Sequence, residues 1–498
     1  MTELLEISER FAGSNYELHL SPAGLALTQH GLVPADPQFQ SATYQEVAGV
    51  EWEPRRRTLS LALGGERPMW VIRGLPRAEG GWAEALIREA TLRGRLLKEP
   101  GFHEPLPPTA FQAAVDRLTA QQPPQAGVLA DFLLTQAALL RATDLHLQPG
   151  AEQAHVRLRI DGSLRTVAAL PADMGQRVVA RLKVQGRMQT YSHAVGQTGS
   201  ASLAVGGRRV DLRLTVLPTS HGEKLTVRLF DPDQALLDLA ALGMPPPALT
   251  AWCARLERPQ GTLLLTGPAG SGKTTTMYAS LAYLRARNAD RCLASVEEPV
   301  ELDLEGVDQT EVNRAVGLDF AEGLRNVLRQ DPQVIMVGEI RDAETAHIAV
   351  QAGLTGHLVL STVHAPSAAG VFTRLTQIGV EPYLVASSVT AVLAQRLVRQ
   401  VCPNCGGRAA PTGTEGAGSG CEQCGGTGYY GRTGLFSLLP VSRGMREAVL
   451  DCRPLPELED LAARESVGDL WEAGLEKAGA GVTTMAELER VLGRRETG

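Results

Sequence analysis

The sequence has no stretch approaching the roughly 18 consecutive apolar residues that a membrane-spanning helix requires. It has no excess of positive charge either. Against 55 Asp and Glu stand 48 Lys and Arg, and the formal net charge of -7 offers no general attraction to nucleic acid or anionic lipid. A nucleic-acid translocase, whose DNA binding would fall steeply with salt, is therefore disfavoured. The N-terminus, Met1-Thr2-Glu3, lacks both the basic start and the apolar core of an export signal, so the chain is expected to stay in the cytosol. Nor is there an even set of cysteines. Seven thiols do not build a disulfide framework, and reduced cysteines in a reducing compartment are expected instead. At 498 residues the chain is long enough for roughly three domains, each with its own core.

What the sequence does contain begins with Gly267-Pro268-Ala269-Gly270-Ser271-Gly272-Lys273-Thr274, which fits the phosphate-binding P-loop without a mismatch. The apolar run 262–266 before it suits a buried strand, and residues 274–286 after it, free of Gly and Pro, suit a helix. In that context the glycines turn backbone N–H groups toward phosphates and the helix N-terminus adds its positive end. Lys273 reaches the outer phosphates, and the hydroxyl of Thr274, followed by Thr275 in the same first turn, binds magnesium. An ordinary strand-to-helix turn is the alternative, and the strand–loop–helix context argues against it.

Two Pro-rich stretches, 99–108 and 231–247, divide the chain. Residues 1–99 carry short strand-like runs such as Tyr16-Glu17-Leu18-His19-Leu20, Thr58 to Leu63 and Trp70-Val71-Ile72, then a helical run from Trp82 to Lys98. They predict a small β-rich domain, one sheet closed by one helix, vaguely resembling a pleckstrin-homology-like domain. The middle segment opens with helical spacing around Val128 to Arg141 and becomes strand-rich. Setting Leu217 opposite Lys224 across a turn puts Val216/Leu225, Leu214/Val227 and Leu212/Leu229 on one face, and Thr215/Thr226 and Arg213/Arg228 on the other. Two arginines directly opposed repel each other, a conflict that an anionic ligand would remove. Two solvated arginines on an exposed hairpin are the plainer alternative.

From Gly261 onward, apolar strands alternate with helical runs, as in an α/β domain with a mainly parallel sheet. Polar residues stand at four strand ends: the P-loop after 262–266, Glu297-Glu298-Pro299 after 291–296, Gly338-Glu339 after 334–337, and His364 after 358–362. Ligands of such sheets bind at the carboxyl ends of the strands, so these groups are expected to converge on the phosphates. Glu339 occupies the position of the magnesium carboxylate. One of Glu297, Glu298 and Glu301, with Glu297 preferred, orients the attacking water. His357 and His364 are candidates for sensing the terminal phosphate, the alternative being ordinary packing histidines. Further on, Cys402-Pro403-Asn404-Cys405 and Cys421-Glu422-Gln423-Cys424 repeat one knuckle, with 15 residues between the inner cysteines. Four thiolates at this spacing make a closed tetrahedral zinc site, structural because it has no open position for water. It would pin the Gly-rich stretch 412–420. Cys253, Cys292 and Cys452 lack partners in sequence and are expected to be buried apolar residues.

Together these residues resemble the secretion and pilus-assembly ATPases, the motors of type II secretion and type IV pilus extension. The resemblance runs over around 350 residues, from about Ala142 to Val491. It is carried by Ala142-Thr143-Asp144-Leu145-His146, Arg157-Leu158-Arg159-Ile160-Asp161-Gly162, the P-loop, and an acidic box like Glu297-Glu298-Pro299-Val300-Glu301. Gly338-Glu339-Ile340-Arg341-Asp342, Thr355-Gly356-His357 through His364, and Gln395-Arg396-Leu397 ahead of the knuckles complete it. It implies a RecA-like ATPase domain over 240–498, including the zinc knuckles 402–424 and C-terminal helices, preceded by a PAS-like α+β domain over 110–232. Arg213 and Arg228 match positions the family uses as arginine fingers. The implied cofactors are ATP, magnesium and structural zinc. The implied assembly is a homo-hexamer, peripheral at the inner face of the cytoplasmic membrane, that works on an inner-membrane platform protein and has no direct nucleic-acid partner. Pilus, secretion and DNA-uptake motors share these motifs, so a DNA-uptake pilus motor is an alternative. Glu298 stands where the family has Asp, Gln197-Thr198-Gly199 where it tends to have Pro-Gln-Asp-Gly, and Ser437 where Glu is usual. A nucleotide-binding scaffold of the same machinery, hydrolysing weakly or not at all, is the competing expectation from these departures.

Overall fold

The structure is a computed structural model describing residues 9–12, 16–21, 24–29, 39–42, 46–63, 69–73, 75–96, 102–120, 126–230, 238–407 and 421–494. The expected Gly-rich stretch 412–420 and parts of both Pro-rich boundaries, 99–101 and 231–237, lie outside them. So do Leu97 and Lys98, the end of the expected first helix. The chain forms two compact units, Met1–Asp231 and Pro232–Gly498, of mixed α/β character. Among the described residues no helix is long and apolar enough to cross a membrane.

In the first unit the N-terminal strands form two sheets rather than the expected one. Glu9–Ala12, Tyr16–Ser21, Gly24–Gln29 and Phe39–Ala42 make the first, and Val47–Glu53, Thr58–Leu63 and Trp70–Arg73 the second. Alternation drives the second sheet: Leu59, Leu61 and Leu63 are buried while Thr58, Ser60 and Ala62 between them are half-exposed. The helix Arg77–Leu96 begins five residues before the expected Trp82 and takes in Gly80 and Gly81. A Cβ at Gly80 would lie 2.3 Å from the Trp52 ring, so the missing side chain lets the indole lie against the helix.

Residues 102–230 build a six-stranded antiparallel sheet in the order Ser163–Pro171, Gln153–Ile160, Ala142–Pro149, Gly222–Phe230, Arg208–Thr219, Gln197–Val205. Helices Pro108–Thr119, Ala126–Leu139 and Ala172–Gln185 accompany it. Ala126–Leu139 is buried on all sides from Val128 to Ala138. The hairpin register is the one expected from alternation, with Leu217 opposite Lys224 and Arg213 opposite Arg228. Val210, Leu212, Leu214 and Val216 enter the core, and Arg209, Asp211 and Arg213 face solvent.

The second unit centres on a seven-stranded sheet in the order Asp308–Glu311, Leu293–Glu297, Val334–Val337, Leu358–Thr362, Gly261–Thr266, Val389–Val401, Tyr429–Pro440. Six strands run parallel, and the last pairs antiparallel. The central strands are buried throughout and feed two cores by turns. Leu264, Ile335, Val337 and Val359 join one, while Leu263, Leu265, Val334, Met336, Leu358 and Leu360 join the other. Helices cover both faces, as a sheet apolar on both sides requires.

A lysine ties the helix Leu470–Gly479, the last but one of the described helices, to this body. Lys477 Nζ donates to Gly243 O at 2.8 Å, Thr433 Oγ1 at 2.8 Å and Gly434 O at 2.9 Å. All three acceptors are neutral, and burial pushes the amine down to about 8. An unfolded chain keeps this proton up to about pH 10.4. Between those values the unfolded state binds the proton and the folded state does not, so the contribution of Lys477 to stability rises with pH. Urea midpoints measured across this window should climb less in Lys477→Met than in the parent, and parallel pH profiles would refute the assignment.

Candidate functional site

The strand Gly261–Thr266 delivers the chain into the glycine loop, and the helix Lys273–Arg287 leaves it. Parallel pairing sets Leu265 beside Thr362 and Thr266 beside Ala394, so residues 267–272, 363–366 and 395–396 meet at one edge of the sheet. The glycines serve different needs. A Cβ at Gly267 would stand 2.4 Å from Gln395 O and one at Gly272 2.9 Å from Gln395 Nε2, whereas Gly270 faces open space and needs only its φ of 75°. Gln395 is itself fixed from below, accepting from Thr276 Oγ1 at 2.8 Å. Pro268, Ala269 and Gly270 form an exposed crest, Gly267, Ser271 and Lys273 are buried, and Thr274 and Thr275 are half-buried in the first helical turn. The Ser271 hydroxyl has no partner among the described residues. Lys273 Nζ donates to Gly267 O at 2.8 Å and Pro268 O at 3.0 Å. Its pKa is lowered, by burial first, with nearby Glu339 opposing that and Arg396 adding to it. A buried ammonium and an orphaned hydroxyl in a loop of turned N–H groups fit a phosphate chain.

Glu339 lies two residues beyond the strand Val334–Val337, ion-paired with Arg341 and 3.8 Å from His364 Nε2. Lys273, Glu339 and His364 are thus brought together. His357 is not. It precedes Leu358, which pairs with Gly261 at the amino edge of the sheet, and its Nδ1 is 3.1 Å from Ala352 O at the end of the helix Ala343–Leu354. The full length of a strand separates it from the loop. Asp342 accepts from Thr345 N at 2.8 Å and serves as the N-cap of that same helix.

The acidic strand end divides in two. Glu297 is 2% exposed, with Oε2 accepting from Tyr278 Oη at 2.5 Å and Oε1 accepting from Ser295 Oγ at 2.6 Å and Gln309 Nε2 at 2.9 Å. Tyr278 Oη also accepts from Glu301 N at 3.0 Å, so the phosphate-loop helix and the acidic loop share one hydroxyl. Burial first, then the charge of Glu297, raises the pKa of this phenol and keeps it a donor. Glu298 instead faces outward, gripped by Arg314 at 2.8 and 3.0 Å and approached by Arg341 at 3.9 Å.

Of the opposed arginines of the first unit, Arg228 has an internal partner that the sequence reading missed. Asp144, one strand over, lies between Arg228 Nε at 3.2 Å and Arg159 Nε at 3.4 Å. Arg213 is exposed and makes no hydrogen bond or ion pair among the described residues. The string Thr143-Asp144-Leu145 held the signal for Asp144, as a carboxylate within a strand, here buried between the two guanidinium groups.

At the far end of the pair Val389–Val401 and Tyr429–Pro440, the four cysteines meet. Sγ separations are 3.6 Å for Cys402–Cys421, 3.9 Å for Cys405–Cys424 and 3.8 Å for Cys421–Cys424, with all four within 4.8 Å of one another. A tetrahedron with Zn–S bonds of about 2.3 Å has edges of about 3.8 Å, so the cluster fits zinc. The base below it is clamped: Arg399 stacks 4.2 Å over Tyr429, and buried Glu487 accepts from both Arg399 and Arg490 at 2.7 Å. Of the remaining thiols, Cys253 and Cys292 are half-buried, but Cys452 is exposed, against expectation, on a turn with φ of 52° that follows the helix Arg443–Leu450.

A model of the family described as Type II/IV secretion system protein matches residues 120–490. The Type II secretion system protein E of Aeromonas hydrophila is 42% identical over 377 residues, 73% of this chain and 75% of that protein. The Type IV pilus assembly ATPase TfpB of Acinetobacter baylyi is 40% identical over 382 residues, 73% of this chain and 65% of that protein. The solved structure of the Legionella pneumophila ATPase DotB is alike in fold, with a TM-score of 0.56 at 19% identity over 73% of this chain and 95% of that chain.

Two outcomes are expected. Tyr278→Phe and Glu297→Gln disturb one hydrogen bond, so denaturant curves of the single and double variants should show a coupling on the order of 1–3 kcal/mol; simply additive losses would show the two side chains to be independent. Metal analysis should find about one zinc per chain in the parent and an empty site in Cys402→Ser, where a full site would contradict the assignment.

Proposed function

Because the chain belongs to the type II/IV secretion system protein family, we propose that it is an ATP hydrolase powering assembly of a type IV pilus or a type II secretion pseudopilus. The observation that carries this reading is the gathering of Lys273, Glu339 and His364 around a loop whose buried Ser271 hydroxyl has no partner among the described residues. On binding ATP, Lys273 leaves the carbonyls of Gly267 and Pro268 for the outer phosphate oxygens, while the N–H groups at the helix start cradle the inner ones. Magnesium, held by Thr274 and Glu339, would neutralise charge on those oxygens. Glu297, fixed by three hydrogen bonds, retains a lone pair on Oε2 with which to orient a water in line with the terminal phosphorus. The water oxygen bonds to phosphorus, the bond to the bridging oxygen breaks, and ADP and phosphate leave. Arg213 and Arg228 act on the charge that develops in this step.

By the same reading, residues 240–498 are a RecA-like domain, residues 110–232 are PAS-like, and six chains close a ring in the cytoplasm against the inner membrane. Hydrolysis moves one domain against the other, and a platform protein in that membrane takes up the motion. The zinc is structural, and its four thiolates hold the ends of the insertion together.

Phosphate release should fall by at least about a hundredfold in Lys273→Ala and in Glu339→Gln with the fold intact, and undiminished release from Lys273→Ala would remove the reading. Arg213→Ala is the cleaner probe of the arginine pair, since Arg228→Ala also strips Asp144 of a partner. It should lower kcat more than it weakens nucleotide binding; equal losses would make Arg213 a simple binding residue.

A further inference from the structure

Beside the phosphate loop is a cation that none of these steps uses. Arg396 follows Ala394 and Gln395 on the strand next to Gly261–Thr266, one residue beyond the level of Gly267, and its Nη1 would stand 3.3 Å from a Cβ at Gly267. It lines a shallow, open pocket of about 300 Å³ with Gly267, Pro268, His364, Ala365 and Pro366. Its guanidinium is half-buried. Nη1 donates to Gln395 O at 3.0 Å and Nη2 to Pro366 O at 3.3 Å, and among the described residues no carboxylate pairs with it. Burial lowers its pKa, and its charge in turn lowers that of Lys273. Two cations therefore share one edge of the loop, one of them half-buried and with no carboxylate partner among the described residues. Partial burial removes some of its hydration, a loss that an anionic ligand would offset. Pinning residue 366 to the strand needs only a neutral donor, so the charge serves something else.

The cavity also identifies which anion. In a loop of this kind the helix start cradles the inner phosphates, and the lysine reaches the outer ones. Lys273 Nζ rests on Gly267 O and Pro268 O, the two loop residues that wall the Arg396 cavity. Arg396 is thus on the side of the outer phosphates, across from His364, which approaches Glu339.

We propose that Arg396 distinguishes the triphosphate from the diphosphate, its guanidinium leaving Pro366 O to fork onto the terminal phosphate of ATP. The segment 364–366 is then released when ATP binds and recaptured when phosphate departs, which makes Arg396 the residue that reports hydrolysis to the His364 loop. This inference rests on the nucleotide reading above.

The test is equilibrium binding by the full chain of two probes, ADP and the non-hydrolysable β,γ-imido analogue of ATP. Arg396→Gln should weaken the analogue about ten- to hundredfold, the worth of charge-assisted hydrogen bonds to phosphate, while ADP affinity stays within about twofold. Arg396→Lys keeps the charge but cannot fork. It should show a smaller loss, again confined to the analogue, and stands in should the Gln variant fail to fold. Equal weakening of both ligands, or of neither, overturns the inference while leaving the ATPase reading intact, since Lys273→Ala in parallel should lose both. A parent chain that binds neither probe overturns both.

Discussion

The site depends on how parallel strands are aligned in the second unit. Because Leu265 pairs with Thr362 and Thr266 with Ala394, three separate stretches of chain reach the same edge together. Nothing in the loop itself could bring Glu339 or His364 to Lys273. The loop in turn lies so close to the neighbouring strand that Gly267 and Gly272 leave no room for a side chain against Gln395. Backbone alignment, close approach and polar convergence are one constraint seen at three scales.

Much of this was legible in the chain. The strands of the second unit show as apolar runs between turn residues, and their polar ends stand out because such runs rarely terminate in Glu-Glu-Pro or Gly-Glu. The arginine hairpin was legible to the residue, since a period-two pattern with one buried face admits a single register. What escaped depends on distance in sequence. Asp144 is 84 positions from Arg228, and no local pattern joins them. Tyr278 reads as one more core residue of its helix until Glu297 is found beneath its hydroxyl. His357 and His364 look equivalent in sequence because both flank the same short strand, yet a strand has two ends and only one borders the loop. The N-terminal strands were recognised singly, but nothing in their alternation says where one sheet stops and the next begins.

Charge is handled in contrasting ways around the molecule. Glu487 is sealed between two guanidinium groups and stiffens the base of the cysteine insertion. Lys477 is satisfied by carbonyls and a hydroxyl alone, so its proton is loosely held and its role is to bind pieces of backbone together. Arg396 resembles Lys477 in its neutral partners, but it borders a cavity rather than packed chain. The same physical situation, a cation without a carboxylate, reads as anchorage in one place and as readiness in the other.

The central strands are apolar on both faces, and that has a cost for folding accuracy. A strand with one wet face is kept from sliding by its pattern, but here a shift of one position would exchange one greasy residue for another. Hydroxyls stand guard instead: Thr266 Oγ1 donates to Ala365 O at 2.9 Å, Thr362 Oγ1 to Gly338 O at 2.9 Å and Ser361 Oγ to Val337 O at 2.8 Å. All three sit at or beside the edge where the phosphate loop, Glu339 and His364 meet. A misthreaded sheet would lose these bonds and its working parts in the same stroke, so only correctly assembled molecules are equipped to act.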